Sequence, residues 1–367
     1  MSTSAAVVLS RQSLRPNRRT PWVHQTVAAV RWLHDENCEL ISSIGLSTWN
    51  LLTALASLDT VPLRLFLPVS EPESFDDHTK RIAAEFDLHP DRTVFIPVTS
   101  DSRRRNKSLL MLRRDRAIVH YADLVVPITV RPAGNMADLL DLARLSGKVV
   151  VDRFAVDYAH KPVGYCTTSY RNAVRAAADS EAAEYIIHWT RGTSHKWPDE
   201  RELDFWSDIL TSDIWPRDAE ATLQRLLRRR HIVASPRHMP GKTACVCLSE
   251  LCPSSLLPLM RWRARYREMS FEPYGVGFHR DLAPSLGLQP VTYFDPGENT
   301  PPEPERWHYQ SRGTVTDWRA EREWRHRGDI DFDEIPTDAI RVFCPTRAEA
   351  ARLSERLPYR IVSLFKE

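Results

Sequence analysis

The chain has 367 residues, 42% of them apolar, and its 50 basic and 48 acidic side chains leave a formal net charge of +2. That length suits two ordinary domains, and the near balance of charge excludes a partner chosen by overall charge alone. No apolar run approaches the roughly 20 residues that a bilayer-spanning helix needs, which excludes a helical membrane anchor.

The opening stretch MSTSAAVVLSRQSLRPNRR lacks the apolar core of an export signal. With its six cysteines read as free thiols, the chain is expected to be cytoplasmic. Residues 1–36 read as an amino-terminal extension and a first helix. From 37 to about 160, apolar runs of strand length alternate with helical patterns. CELISSIG is a strand ending in Gly45, and STWNLLTALASL is a helix with Ser47 placed to cap it. Strand PLRLFLPV, helix SFDDHTKRIAAEFDL, strand TVFIPV, a helix through SLLMLRRDRAIVHYA and strand DLVVPITV follow. Helix NMADLLDLARLSG, closed by Gly147, and strand KVVVDRF end the series. Such alternation calls for an α/β domain with a parallel sheet covered on both faces.

Ligands of such sheets sit beyond the carboxyl ends of the strands. Three turns would line that edge: Ser42 to Thr48 with Ser43 and Gly45, the arginines around Arg114 and Asp115, and Thr129 to Met136 with Arg131 and Gly134. A glycine there lets backbone amides approach a phosphate, and an arginine holds it with paired donors. Neither GxGxxG nor GxxxxGK[ST] is present, so a dinucleotide or P-loop site of those types is unsupported. The basic runs RRRNKSLLMLRRDR and LLRRRH suit solvated helix faces as well as phosphate seats.

This half resembles the Rossmannoid superfamily that includes the "lonely guy" phosphoribohydrolases and the DNA-processing protein A domain. Arg114-Asp115 stands where those proteins carry an Arg-Asp-like helix start, and Pro132-Ala133-Gly134 stands for their Pro-Gly-Gly turn. The resemblance implies a domain that binds a nucleotide or a nucleic-acid phosphate. Ala133 in place of a glycine, and the lack of the acidic residue after that turn, favour binding or sensing over hydrolysis.

After a linker helix over 161–183 the pattern changes, and residues 184–367 read as an α+β domain. EYIIHWT is a strand, and PDERELDFWSDIL and RDAEATLQRLLRRRH are amphipathic helices. Strand ACVCLSE precedes a helix through LLPLMRWRARYREM. Strands YGVGFHR and PVTYF come next, then a long strand through DWRAEREWRHRGDIDF, strand AIRVFCP, helix RAEAARLSERL and strand YRIVSLF. The Cys-x-Cys of CVCLSELC has no second pair at metal-ligand spacing, so no metal site is expected. On a strand Glu321 and Glu323 would share one face. Two carboxylates about 7 Å apart repel unless a cation or ligand separates them. The alternative reading pairs Arg322 and Arg325 with nearby acids and buries Trp324. His188, where an apolar strand turns polar as HWTR, is a core residue or the convergent partner of those acids.

A strand ending His-x-Thr, the helix TLQRLLRRRHIVAS, a strand ending CLSE and a strand bearing Glu-x-Glu together resemble the ADP-ribosyltransferase fold over about residues 184–345. The likeness is to its bacterial DNA-modifying toxin and abortive-infection branches, through VCLSE, FEPYGVGF, PVTYF and EREWR in that order. It implies NAD as substrate, with His188 and Thr190 holding its ribose and nicotinamide amide. Glu323 would be the catalytic carboxylate, and Glu321 would orient or deprotonate the acceptor. Ser249 matches the middle-strand position, and Arg191 and Arg237 would take the pyrophosphate. It further implies ADP-ribosyl transfer to a macromolecule, nucleic acid above all, in a toxin or antiphage role, under control of nucleotide binding to the first domain. An NAD glycohydrolase, a non-catalytic nucleotide sensor or antitoxin, and a phosphoribohydrolase working from the first domain stand as rivals. The partners expected are a nucleotide or nucleic acid and no membrane.

Overall fold

The computed structural model describes residues 3–12, 15–69, 74–99, 107–159, 174–237, 239–264, 266, 268–295, 297–298, 305–314 and 317–366. The chain forms two compact units, Met1–Gly164 with Glu200–Pro216, and Tyr165–Asp199 with Arg217–Glu367.

In the first unit β1 (Ser4–Leu9), β2 (Glu39–Ser42), β3 (Leu63–Pro68), β4 (Thr93–Val98), β5 (Leu124–Thr129) and β6 (Val149–Val150) form one sheet in the order β4-β3-β2-β1-β5-β6. Every neighbouring pair is parallel. The connecting helices are α1 (Pro21–Asp35), α2 (Ser47–Leu58), α3 (Phe75–Phe86), α4 (Lys107–Tyr121) and α5 (Asn135–Leu145). The expected parallel α/β sheet is therefore present, flanked by helices. Residues 1–36 are not an extension ahead of it. All six residues of β1 are buried, and β1 lies between β2 and β5; the apolar run around AAVVL is a central strand because only there are both of its faces covered. Ser47 does not cap α2: it is the first helical residue, and Leu46 stands at the cap without a side-chain bond. Gly147, with φ of 76°, follows α5 as expected.

Beyond α6 (Ala176–Ala182) and β7 (Tyr185–Trp189), which belong to the second unit, the chain returns to the first as α7 (Glu202–Thr211). Leu203, Phe205, Trp206 and Ile209 of α7 are buried in the first unit's core. A single cut near residue 160 or 184 thus misses a segment that crosses back. Of the linker helix expected over 161–183, residues 161–173 lie outside the described residues; α6 is core, with Ala178 and Ala182 buried.

The second unit also holds α8 (Ala219–Arg229), β8 (His231–Ile232), β9 (Cys245–Ser249), α9 (Pro253–Leu256), β10 (Trp262–Arg263), β11 (Glu268–Met269) and β12 (Gly275–His279). It continues with β13 (Gln289–Pro290), β14 (Thr292–Phe294), β15 (Tyr309–Ser311), β16 (Glu323–Arg327), β17 (Ile330–Asp331), β18 (Ile340–Cys344), α10 (Arg347–Ser354) and β19 (Arg360–Ser363). A mixed sheet runs β13-β16-β9-β7-β12-β18-β19, with β18 and β19 parallel and its other pairs antiparallel. Leu223, Val276, Phe278 and Phe332 belong to one of its apolar clusters, and Ile187, Trp189 and Phe343 to another. On β12, a Cβ at Gly275 would lie 2.9 Å from both Ile187 Cγ2 and Trp189 Cε3, so only glycine lets β7 and β12 pack this closely.

Two expected elements differ. The helix through LLPLMRWRARYREM is instead the short α9, a 3₁₀ turn at Leu257–Leu259 and the antiparallel hairpin β10–β11. Pro258 removes an N–H that a continuing helix would need and crowds the preceding turn. The long strand through DWRAEREWRHRGDIDF is broken twice. A 3₁₀ turn occupies Trp318–Glu321, Arg322 is left-handed with φ of 43°, and Gly328 (φ of 89°) separates β16 from β17.

Candidate functional site

In the first unit the sheet order reverses at β1: successive strands run outward to β4, and β5 then starts on β1's other edge. The turns leaving β1 and β5 diverge there and open the crevice where such sheets take ligands. Ser10 follows β1: its N–H donates to Thr129 O at 2.8 Å, and its hydroxyl accepts the Arg131 N–H at 2.8 Å. Gln12 is 1% exposed and donates to Thr129 Oγ1 at 3.4 Å. Across from them Ala133 is left-handed, with φ of 53°, and Gly134 caps α5, where a Cβ would meet Arg131 O at 3.2 Å. Gly45, with φ of 91°, has open space where a Cβ would stand, and its N–H donates to Asn50 Oδ1 at 2.9 Å.

The other residues expected at this edge are internal. Ser43 is fully buried and donates to Phe66 O at 2.7 Å. Arg114, 2% exposed, spends Nε and Nη2 on Asp115 Oδ1 at 2.9 and 2.7 Å, and points Nη1 at Ile44 O. Asp115 also accepts from Asn135 at 3.1 Å. Burial pushes the Asp115 carboxyl above its usual range, against the pull of Arg114 and Asn135. Arg114 and Asp115 therefore fasten α4 to α5 and to the turn after β2, which leaves Gly45, Arg131 and Gly134 as the accessible members. Ser10 and Gln12 went unread because β1 did; the apolar run directly before Ser10 was the available signal.

In the second unit β7 pairs with β12 over all five of its residues, and β9 with β16 over all five, but β7 and β9 share one registered pair, Ile187 with Ser249. Beyond that pair His188 reaches across, its Nδ1 2.8 Å from Cys247 O. A carbonyl only accepts, so Nδ1 carries the proton and Nε2 is left as an acceptor. Burial, reinforced by the charge of Arg191, holds the ring's pKa down and the imidazole neutral. The thiol of the same Cys247 lies 3.9 Å from Met239 Sδ, and burial, then the charge of Glu323, pushes it well above the ordinary range.

Glu323 and Arg325 stand two apart on β16 and face the same way, opposite Ser249 and Cys247. They form a two-pronged ion pair at 2.9 and 2.8 Å. Arg325, 1% exposed, also donates to Trp307 O at 2.8 Å and Gln310 Oε1 at 3.0 Å. Glu321 is not on that strand, as the left-handed Arg322 turns the chain between them. The two carboxylates still interact: burial first, and Glu323 second, push Glu321 above the usual glutamate range, with Arg263 Nη2 3.6 Å away. Arg322 reaches Glu250 at 3.1 Å, as the structural alternative expected, whereas Trp324, expected in the core, is only partly buried and donates to Glu250 at 3.2 Å. Burial, then the charges of Glu323 and Glu321, push the Tyr293 hydroxyl up to about 12, against the pull of the Glu323 main chain; no sequence pattern singled it out.

Arg191 and Arg237 converge on Glu268, at 3.5 and 3.3 Å. Thr190 and Ser249 are placed otherwise. The buried Thr190 hydroxyl lies 3.0 Å from both Ala219 O and Tyr274 O, and Ser249 donates to Glu321 O at 2.7 Å. Both are occupied in holding chain segments together. Tyr274 donates to Glu349 at 2.7 Å, and Trp189 packs on Phe343. Among the described residues no group of three or more His, Cys, Asp or Glu side chains is placed to hold a metal ion, and no helix is long and apolar enough to cross a membrane.

No protein-family model matches the chain, and no curated protein matches it. Two solved structures resemble it. One is DNA processing protein A from Helicobacter pylori, described for its single-stranded DNA binding mode: 15% identical, TM-score 0.29, covering 40% of this chain and 63% of that one. The other is DNA processing protein A from Streptococcus pneumoniae: 14% identical, TM-score 0.30, covering 41% of this chain and 49% of that one. The chain thus spans less than two thirds of either.

Proposed function

We propose that the second unit binds NAD, breaks its nicotinamide–ribose bond and passes ADP-ribose to a macromolecule, with nucleic acid as the acceptor class. The observation that carries this reading is the unequal pair of carboxylates: Glu323 has its charge matched by Arg325, while Glu321 is held above the usual range by burial and by Glu323. Two neighbouring acids set apart by their surroundings suit two different roles. As the bond breaks, its electron pair leaves with the nicotinamide nitrogen and positive charge grows on the ribose. Glu323, fixed in place, stabilises that charge more than the ground state. The acceptor then bonds to the ribose carbon and its proton passes to Glu321. Arg191 and Arg237 hold the diphosphate, and His188 Nε2 accepts from a ribose hydroxyl.

The same proposal gives the first unit a nucleotide or nucleic-acid phosphate, held at Gly45, Arg131 and Gly134 where the sheet order reverses. Support comes from the open glycine turn and the exposed arginine at the end of β5.

The test is incubation of the full chain with adenine-labelled NAD and DNA, RNA or lysate, beside Glu323→Gln. Label on a macromolecule, lost in the variant, is expected. Label only in free ADP-ribose makes the protein a glycohydrolase. Intact NAD under every condition ends the reading.

A further inference from the structure

Two arginines of the second unit meet at one nearly buried carboxylate, and a third is its partner across a hairpin. Glu268, on β11, is 6% exposed. Its oxygens lie 3.5 Å from Arg191 Nη1 and 3.3 Å from Arg237 Nη1, both longer than the roughly 2.7–2.9 Å of a tight charge-assisted bond. Arg191 also feels the positive charges of Arg237 and Arg263, which with its burial hold its pKa down. Arg263 stands 3.6 Å from Glu321. Two guanidiniums thus face Glu268 and a third faces Glu321, at 3.3–3.6 Å.

We propose that Glu268 is an internal counter-anion: it occupies the seat of a ligand's diphosphate and is displaced when that ligand binds. The inference rests on the assignment of Arg191 and Arg237 as diphosphate arms. A diphosphate brings at least two negative charges and several acceptor oxygens, and so matches two guanidinium forks better than one carboxylate does. An anion with a single charge offers no more than Glu268 already supplies. Occupation by Glu268 thus rejects lone carboxylates while keeping the arginines from repelling one another apart. Its carrier suits the role. β11 pairs with β10 in a two-stranded hairpin separate from the seven-stranded sheet, so Glu268 can withdraw without breaking the main ladder. Arg263 is the residue paired with Glu268 in that hairpin. The same withdrawal shifts Arg263 relative to Glu321 and frees that carboxylate for the acceptor's proton, which links ligand entry to readiness of the base.

Calorimetric titration of the full chain with inorganic pyrophosphate tests the idea. Glu268→Gln should bind pyrophosphate about tenfold tighter than the wild type, since the competing charge is gone. Glu268→Asp, which keeps the charge on a shorter arm, should fall between them, and Arg237→Ala should bind more weakly than all three. Equal or weaker binding by folded Glu268→Gln overturns the proposal, because it makes Glu268 a support for the arginines. If that variant does not fold, Glu268→Asp decides alone by whether it binds tighter than the wild type. No pyrophosphate binding by any of them also overturns it. Pyrophosphate has no glycosidic bond, so this readout stands apart from NAD turnover. The expected order without NAD consumption sinks the transferase reading and leaves the counter-anion standing; NAD consumption without the tightening does the reverse.

Discussion

Arg325 is charged and only 1% exposed, and its donors meet Glu323, Trp307 O and Gln310. Removing it leaves Glu323 with no matching cation in a largely dry place. Arg325→Met should therefore destabilise the chain by about 3–5 kcal/mol, read as a lower urea midpoint with unchanged slope; a change under ~1 kcal/mol would show that the pair is solvated. Glu321 has the opposite character. Its pKa is raised, foremost by burial and then by Glu323, and a base works only when deprotonated. Transfer activity should rise with pH through a midpoint above the usual glutamate range, and Glu321→Gln should lose that limb. An identical pH profile in the variant would exclude Glu321 as the base. At Ala133 a left-handed φ of 53° is imposed on a residue with a Cβ, which costs about 1 kcal/mol. Ala133→Gly relieves this at some cost in unfolded-chain entropy, so thermal unfolding should show equal or higher stability. Within EREWR, alternation holds for Glu323, Trp324 and Arg325 on β16 but not for Glu321, because it needs an extended chain and Arg322 is left-handed.

At the level of elements, β1 shows how a central strand is anchored at its start. The Ser4 N–H and hydroxyl donate to Asp123 Oδ2 at 2.8 and 2.7 Å, just ahead of β5. The backbone bond, then the hydroxyl bond, hold the Asp123 pKa below the usual carboxylate value. A depressed pKa contributes stability above the unfolded-state value that is lost as pH falls through the folded one. Asp123→Asn should thus unfold more easily than the wild type at pH 7, with the gap closing below about pH 4; a gap independent of pH would mean that the carboxylate charge is irrelevant. On β12 a methyl at Gly275 would press on Ile187 and Trp189 at 2.9 Å. Gly275→Ala should cost about 1–3 kcal/mol in overpacking, seen in denaturant unfolding, and it would disturb β7 next to His188. Most helices and strands of the first unit were legible in the sequence because each is a long run of one periodicity between clear stops. The helix expected through residues 256–269 failed because Pro258 counted for more than the apolar pattern around it.

Over the whole chain, the first unit is discontinuous: α7 returns to it from beyond β7. Phe205 and Trp206 of α7 are each no more than 7% exposed, and burial of such side chains contributes roughly 1.5–3 kcal/mol apiece. Asp213, after α7, accepts from Arg18 and Arg19, and its main chain accepts from Asn17 at 2.9 Å. A fragment ending at Gly164 should therefore unfold at lower urea than the same sheet in the full chain, followed by amide exchange in β1 to β5; equal protection would show that α7 is dispensable.

The sequence alone determined the parallel α/β character of the first half and the change to an α+β pattern in the second. Both follow from local periodicity. Only the tertiary structure decided that β1 is central, that α7 belongs with residues 1–164, that Arg114 and Thr190 are already occupied, and that His188 bonds the main chain of Cys247. Those facts depend on which groups distant in sequence consume one another's hydrogen bonds and charges, and periodicity carries no record of that.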